Sequence, residues 1–405
     1  MARIIDAPLT SGSAASAGAG ASAKTDRAVA SQGCQPPALG VWGRLDGAAK
    51  RGLVYDEAVR AETDHLYAKV KHVMPAFEWP AYAPLIAGIN RLKKQKNAVI
   101  LAHNYMTSDI FFCVGDFQGD SLQLAREAAK VEADVIVQAG VHFMAETSKI
   151  LSPGKTVLIP DLRAGCSLAA SITGADVRLI KQRYPGVPVV TYVNTSADVK
   201  AESHITCTSS NAVQVVEWIA KEWNTDRVIL IPDEFLAKNV AAQTGITIIA
   251  WHGRCEVHER FSAQDVRDLR EAHPGVIVLA HPECPPEVLA EADYAGSTAA
   301  LANYVTEKNP RKVVLLTECS MSDNVANAAP QTDFVRPCNL CPHMKRITLE
   351  GIYDALLNSQ HEVIVPEDVR VRAKAAIDAM LALPKTDRPL DFDVSKKPPL
   401  VDVLS

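Results

Sequence analysis

The chain has 405 residues, 48% of them hydrophobic, with 42 basic and 47 acidic side chains and a net charge of −5. That is enough apolar material for a large core and enough length for two or three domains, while the lack of a basic excess argues against a nucleic-acid partner. No apolar run approaches the roughly 18 residues that would span a membrane, so no membrane association is expected and the expected location is cytoplasmic.

In chain order, residues 1–54 read as a disordered Ala/Ser/Gly-rich leader, without the apolar core of a signal peptide. A helical segment follows over 55–79, and a second helix over 80–95 ends in the cations Arg91, Lys93, Lys94 and Lys96, which suit a helix C-terminus. From about 97 to 341, short β-branched runs alternate with helical patterns, an α/β signature. The predicted strands are 98–102, 134–138, 156–160, 187–192, 227–232, 246–251, 276–280 and 312–317. Stacking them exposes an internal repeat and three expected α/β domains over 80–170, 171–258 and 259–345. A helical segment over 346–383 is expected to pack on the first domain, and 384–405 reads as a loosely attached tail.

Each unit opens on a strand with a polar tip: His103-Asn104-Tyr105, Tyr192-Val193-Asn194 and His281-Pro282-Glu283. A hydroxyl residue then precedes a helical run, at Ser121, Ser209 and Thr298, each expected to be a helix N-cap. Strand tips in α/β layers bind ligands, and helix starts favour anions. Three of them facing one centre would cradle carboxylates or a phosphate without a basic patch. Arg163 and Lys345 are further candidates to attract phosphate.

The nine cysteines are Cys34, Cys113, Cys166, Cys207, Cys255, Cys284, Cys319, Cys338 and Cys341. An odd count in a large chain suits metal binding or catalysis better than a disulfide scaffold. Cys113, Cys207, Cys284 and Cys319 read as structural. Cys166, Cys255 and Cys341 close the three units at spacings of 89 and 86 residues. Thiolates are soft ligands suited to iron–sulfur clusters, and three on a four-iron cube leave one iron open as a Lewis acid. Cys338 and Cys341, followed by His343, also admit a zinc site or a redox pair.

These motifs closely resemble the quinolinate synthase family. The matching stretches include His103-Asn104-Tyr105, Gly119-Asp120-Ser121-Leu122, Phe143-Met144-Ala145-Glu146-Thr147, Cys207-Thr208-Ser209-Ser210-Asn211, His252-Gly253-Arg254-Cys255-Glu256-Val257-His258, Gly296-Ser297-Thr298 and Cys341-Pro342-His343-Met344-Lys345. The resemblance spans roughly residues 80 to 380. It implies three similar αβα (Rossmann-like) domains in pseudo-threefold symmetry around a central active site. It also implies a 4Fe–4S cluster on Cys166, Cys255 and Cys341, and condensation of iminoaspartate with dihydroxyacetone phosphate to quinolinate, phosphate and water in NAD biosynthesis. An enzyme oxidising L-aspartate would supply the iminoaspartate. Substrate-binding positions fall on His103, Ser121, Tyr192, Val193, Asn194, Ser209, His281, Pro282, Glu283 and Thr298. Catalytic roles fall on Tyr105, Glu283 and His258.

Three other readings compete. Gly119-Asp120-Ser121-Leu122 spells the signature of a serine hydrolase family, but the Asp-x-x-His it needs is absent from the chain. An iron–sulfur hydro-lyase acting on a small hydroxy acid would share the open-iron logic. A metal-binding redox sensor would bind metal without turnover.

Overall fold

The computed structural model describes residues 46–337, 339–384 and 401–404. Residues 1–45 of the expected leader, Cys338 and residues 385–400 and 405 of the tail lie outside the described residues.

Thirteen described strands form three all-parallel sheets flanked by helices. The first holds β1 (Ala98–His103), β2 (Phe117–Gly119), β3 (Val135–Ala139) and β4 (Thr156–Leu158), in the order β2-β1-β3-β4. The second holds β5 (Val189–Tyr192), β6 (Ile205–Cys207), β7 (Arg227–Ile231), β8 (Thr247–Trp251) and β13 (Val401–Leu404), in the order β6-β5-β7-β8-β13. The third holds β9 (Ile277–Ala280), β10 (Tyr294–Ala295), β11 (Lys312–Leu316) and β12 (Asp333–Val335), in the order β10-β9-β11-β12. The three sheets thus share one strand order. Every predicted run contains a strand. The missed β2, β6, β10, β12 and β13 are edge strands of two to four residues, too short to display a period.

The β-branched composition of the central strands follows from burial on both faces. The neighbours Ile136 and Val137 on β3 point to opposite sides of the sheet, yet both are fully buried, as are Val228 and Ile229 on β7. In each sheet the chain runs from the first strand to one neighbour, then crosses back to the other side. That crossing is a topological switch point, where connections leave in opposite directions and open a crevice beyond the strand ends. His103, Tyr192 and His281 stand at these three switch points, at the ends of β1, β5 and β9.

The cysteine loops repeat in local geometry. The carbonyls of Cys166, Cys255 and Cys341 accept the N–H groups of Ala170, Glu259 and Lys345, each four residues on, at 2.9, 3.0 and 3.1 Å. Seven residues beyond each cysteine stands a helix N-cap: Thr173, Ser262 and Thr348 accept from the N–H groups of Asp176, Asp265 and Gly351. A hydroxyl cap stops the chain from extending the preceding turn and restarts it as a helix. Gly253, just before Cys255, is needed for close approach. A Cβ there would lie 2.5 Å from the Pro232 carbonyl oxygen.

Three expectations about the periphery need correction. Order begins before residue 55: a short helix, Gly47–Lys50, buries Ala48, and the Arg51 guanidinium donates to Asp354 with an Nε–Oδ1 distance of 2.7 Å. The C-terminal helical segment is two helices. Leu349–Asn358 packs on the helix Trp79–Gln95 beside the first sheet, but Glu367–Leu381 packs on the helix Ala197–Ala201 and β6 of the second. The tail is anchored at its end, where Val401–Leu404 extends the second sheet in register with Ile248–Trp251 and Leu404 is buried. An alternating Val-Asp-Val-Leu run is what a sheet edge accepts. Among the described residues no helix is long and apolar enough to cross a membrane.

Candidate active site

The switch-point tips and the cysteine loops converge on one cavity. His103, Tyr105, Ser121, Cys166, Tyr192, Asn194, Ser209, Cys255, His258, His281, Glu283, Thr298 and Cys341 all line it. Two predicted residues do not. Val193 faces a smaller neighbouring cavity. The Pro282 carbonyl accepts from Asn239 Nδ2 at 2.8 Å. Each is the middle residue of a tip where the chain turns out of its strand: the Cys284 N–H closes back on the His281 carbonyl at 2.9 Å, and the Thr195 N–H on that of Val193 at 2.8 Å.

The hydroxyl residues do not act as caps. Asp120 and Ser297 cap the helices that Ser121 and Thr298 begin, accepting from the N–H groups of Gln123 and Ala300. Ser209 lies two residues before Asn211, the N-cap of the third helix. A neighbour thus does the capping for Ser121 and Thr298, Asn211 makes no side-chain cap bond, and all three hydroxyl residues line the cavity. Thr298 Oγ1 accepts from Asn104 Nδ2 at 2.9 Å. The Asp120 carboxyl also lines the cavity, and burial raises its pKa.

Among the described residues no Lys or Arg lines the cavity. Arg163 is exposed and paired with Asp161 at 2.8 Å. Lys345 turns away and donates to the Tyr105 carbonyl at 2.7 Å, to Ser320 Oγ at 2.7 Å and to Glu318 at 2.9 Å. Glu318 is fully buried and also accepts from the Cys341 N–H at 3.4 Å. This ion pair therefore ties the Tyr105 turn to the Cys341 loop. Lys345→Met leaves a buried carboxylate unpaired and is expected to lower stability by about 3 kcal/mol. Denaturant unfolding checks this, and an unchanged midpoint would rule it out.

His103 and His281 share one local geometry. Each Nδ1 accepts the backbone N–H two residues on, from Tyr105 at 3.2 Å and from Glu283 at 3.3 Å. The ring proton then belongs on Nε2. Burial pushes His103 down to about 4 and His281 down to about 3, so both are neutral N–H donors near pH 7.

Glu283 is the electrostatic centre. Its Oε1 accepts from Tyr192 at 2.5 Å and Asn194 at 3.2 Å, and its Oε2 lies 2.8 Å from His258 Nδ1. Burial alone would push this carboxyl up. The His258 and His281 imidazoles and the bonds from His258 and Tyr192 outweigh burial and hold it below the ordinary carboxylate range. Burial, and then the Glu283 charge, raises both the Tyr105 and Tyr192 phenols, so each keeps its proton. His258 stacks on His281 at 4.7 Å, and its Nδ1 lies 3.1 Å from Cys255 Sγ. Its Nε2 lies 3.0 Å from Thr317 Oγ1, which is 2.6 Å from the Tyr105 hydroxyl.

Two contributors were not anticipated from sequence. Thr317 follows directly on β11, and its place at a strand end was the available signal. Asn239 holds the carbonyls on either side of Glu283, Pro282 at 2.8 Å and Cys284 at 3.0 Å. It sits mid-helix, and nothing in its sequence setting marks it.

Cys166, Cys255 and Cys341 are free thiols on one cavity, a soft donor set. Burial pushes Cys166 up to about 12 and Cys341 up to about 11, and raises Cys255 as well. Thiols so buried ionise when a metal takes the place of the proton. Among the described residues, the donor set compact enough for a single ion is Cys255, His258 and Glu283, with ligating atoms within 4.8 Å of one another. Cys113, Cys207 and Cys284 are buried free thiols, and Cys319 is disulfide-bonded.

Known proteins fit this site. Residues 87–382 match the family described as Quinolinate synthetase A protein. A quinolinate synthase of Caulobacter vibrioides is 65% identical over 350 residues, covering 86% of this chain and 95% of its own length. One of Sinorhizobium medicae is 60% identical over 334 residues, covering 82% of this chain and 92% of its own. One of Xylella fastidiosa is 62% identical over 298 residues, covering 74% and 87%. With the match running across all three sheets and every cavity-lining motif, the chain belongs to the quinolinate synthetase A family of enzymes.

Proposed function

We propose that this enzyme condenses iminoaspartate with dihydroxyacetone phosphate, releasing quinolinate, phosphate and water in NAD biosynthesis. It would act in the cytoplasm, fed by an L-aspartate-oxidising enzyme. The observation that carries this reading is the meeting of three free cysteines with Tyr105 and Glu283 on one cavity. Cys166, Cys255 and Cys341 would hold a 4Fe–4S cluster in a pseudo-threefold arrangement, for which their matched loops and the shared strand order speak. Bound there, the cluster would supply an open iron as Lewis acid toward a substrate oxygen.

The remaining work belongs to side chains. Substrates bearing two carboxylates and a phosphate need donors, and those that the described residues offer around the cavity are neutral. They comprise the Nε2–H groups of His103 and His281 and the hydroxyls of Ser121, Ser209 and Thr298. Asn194 Oδ1 is buried without a partner and offers an acceptor for a substrate N–H or O–H. Three donors occupy three of the roughly four lone-pair sites of the Glu283 carboxylate. The remaining site can take a carbon-bound proton, making Glu283 the general base. Tyr105, protonated at Oη, can hand a proton to a departing or developing oxygen.

The test is anaerobic. Cluster-loaded protein given both precursors is expected to form quinolinate and phosphate together, and nothing when either precursor is omitted. Loaded protein that forms no quinolinate would sink the reading.

A further inference from the structure

We infer that Ser167 is a positioning residue for two of the three cysteines: its hydroxyl fastens the Cys166 turn to the Cys255 loop and so fixes the two thiols relative to each other. The inference rests on the proposed ligand set of Cys166, Cys255 and Cys341. Ser167 follows Cys166 directly and opens the short helix Ser167–Ala170. Its Oγ donates to the Arg254 carbonyl at 3.0 Å and accepts the Glu256 N–H at 3.1 Å. Arg254 and Glu256 are the residues on either side of Cys255. One hydroxyl beside the first cysteine thus grips the backbone before and after the second, 89 positions further along the chain.

Ser167 lines the cavity, but its one hydrogen is committed to a carbonyl and none remains for a substrate. Its work there is on the protein itself. Two bonds from one atom, one to each side of Cys255, hold that loop against both sliding and twisting. The surrounding contact does not depend on this hydroxyl. Four residues on, the Ser171 carbonyl accepts from Trp251 Nε1 at 2.9 Å. The Cys255 loop meets the Cys341 loop separately, where Glu256 Oε1 lies 3.0 Å from His343 Nε2. Removing the hydroxyl therefore loosens Cys255 against Cys166 while the fold around them stays. Ligands serve only when held within about 0.5 Å of their working geometry, so a loosened pair holds its metal less well.

The experiment loads wild type, Ser167→Ala and Cys113→Ala anaerobically and follows the release of iron to a ferrous chelator. Cys113→Ala is the comparison because it truncates a buried side chain away from the cavity. A merely structural role for Ser167 would make the two variants behave alike. Ser167→Ala is expected to release iron about tenfold faster or more than both wild type and Cys113→Ala, the usual cost of losing a group that orients a metal ligand. Failure to take up iron at all is the same result at its extreme, provided Cys113→Ala loads normally. Ser167→Thr and Ser167→Val share one shape and differ in the hydroxyl. The Thr variant is expected within threefold of the wild-type rate, and the Val variant to match Ala. This pair carries the comparison if Ser167→Ala yields no soluble protein. Release from the hydroxyl-free variants no faster than from Cys113→Ala overturns the inference, as does a Thr variant no better than Val. Both failures are distinct from a wild type that binds no iron–sulfur cluster, which would overturn the proposed ligand set and this inference with it.

Discussion

Cys166→Ala, Cys255→Ala and Cys341→Ala are each expected to lose bound iron and quinolinate formation together, by a factor on the order of 100 or more. Loss of an outer-shell partner already costs roughly 10–100-fold in affinity or activity, and a direct ligand costs more. The three positions are equivalent in local geometry, so three similar losses are expected rather than one dominant one. Cys113→Ala is the control. That thiol is buried and free and does not line the cavity, so iron and turnover should survive its removal. The measurement is iron and sulfide per chain beside product formed, on anaerobically reconstituted protein. A variant of the three that keeps its iron would break the proposed ligand set. Metal bound through Cys255, His258 and Glu283 would survive Cys166→Ala and Cys341→Ala, which separates the compact single-ion reading from a group spanning all three thiols.

Glu283→Gln is expected to lower kcat by about 10²–10⁴-fold, the usual range for a positioned acid–base group. The amide matches the carboxylate in shape and can still accept from Tyr192 and Asn194 through its oxygen. Its nitrogen would then face His258 Nδ1, donor against donor. The substitution therefore removes the proposed base and sets a donor against a donor beside it. KM should change far less than kcat, because the neutral donors that meet the substrates are untouched. Near-normal turnover in Glu283→Gln would remove Glu283 from the role of base. Asn239→Leu offers a milder comparison, since it frees the carbonyls on either side of Glu283 while leaving the carboxylate in place.

Much of the site was legible from residues alone because the chain repeats itself. Strand tips, a hydroxyl before a helix and a closing cysteine recur in one order, and each sits where a parallel sheet opens its crevice. Eight strands were readable because a strand buried on both faces must be rich in β-branched apolar residues, as Ile136 and Val137 illustrate. The capping positions were misplaced by one or two residues. A hydroxyl beside an acid or a second hydroxyl gives two equal candidates, and backbone torsion chooses between them, as with Asp120 over Ser121 and Ser297 over Thr298.

The amino-acid pattern by itself determined the class of fold, the three cysteines and the polar tips, since periodicity and spacing are local properties that survive without coordinates. Tertiary structure alone decided which groups touch. The path from Tyr105 through Thr317 and His258 to Glu283 joins residues as much as 212 positions apart, and Lys345 reaches back 240 positions to the Tyr105 carbonyl. Lys345 looked like a phosphate ligand and became an internal clamp, because a fully buried Glu318 attracts its charge more strongly than an open cavity does. Contacts of that range depend on how three sheets pack against one another, and the packing is set by the summed burial of all their faces rather than by any one segment.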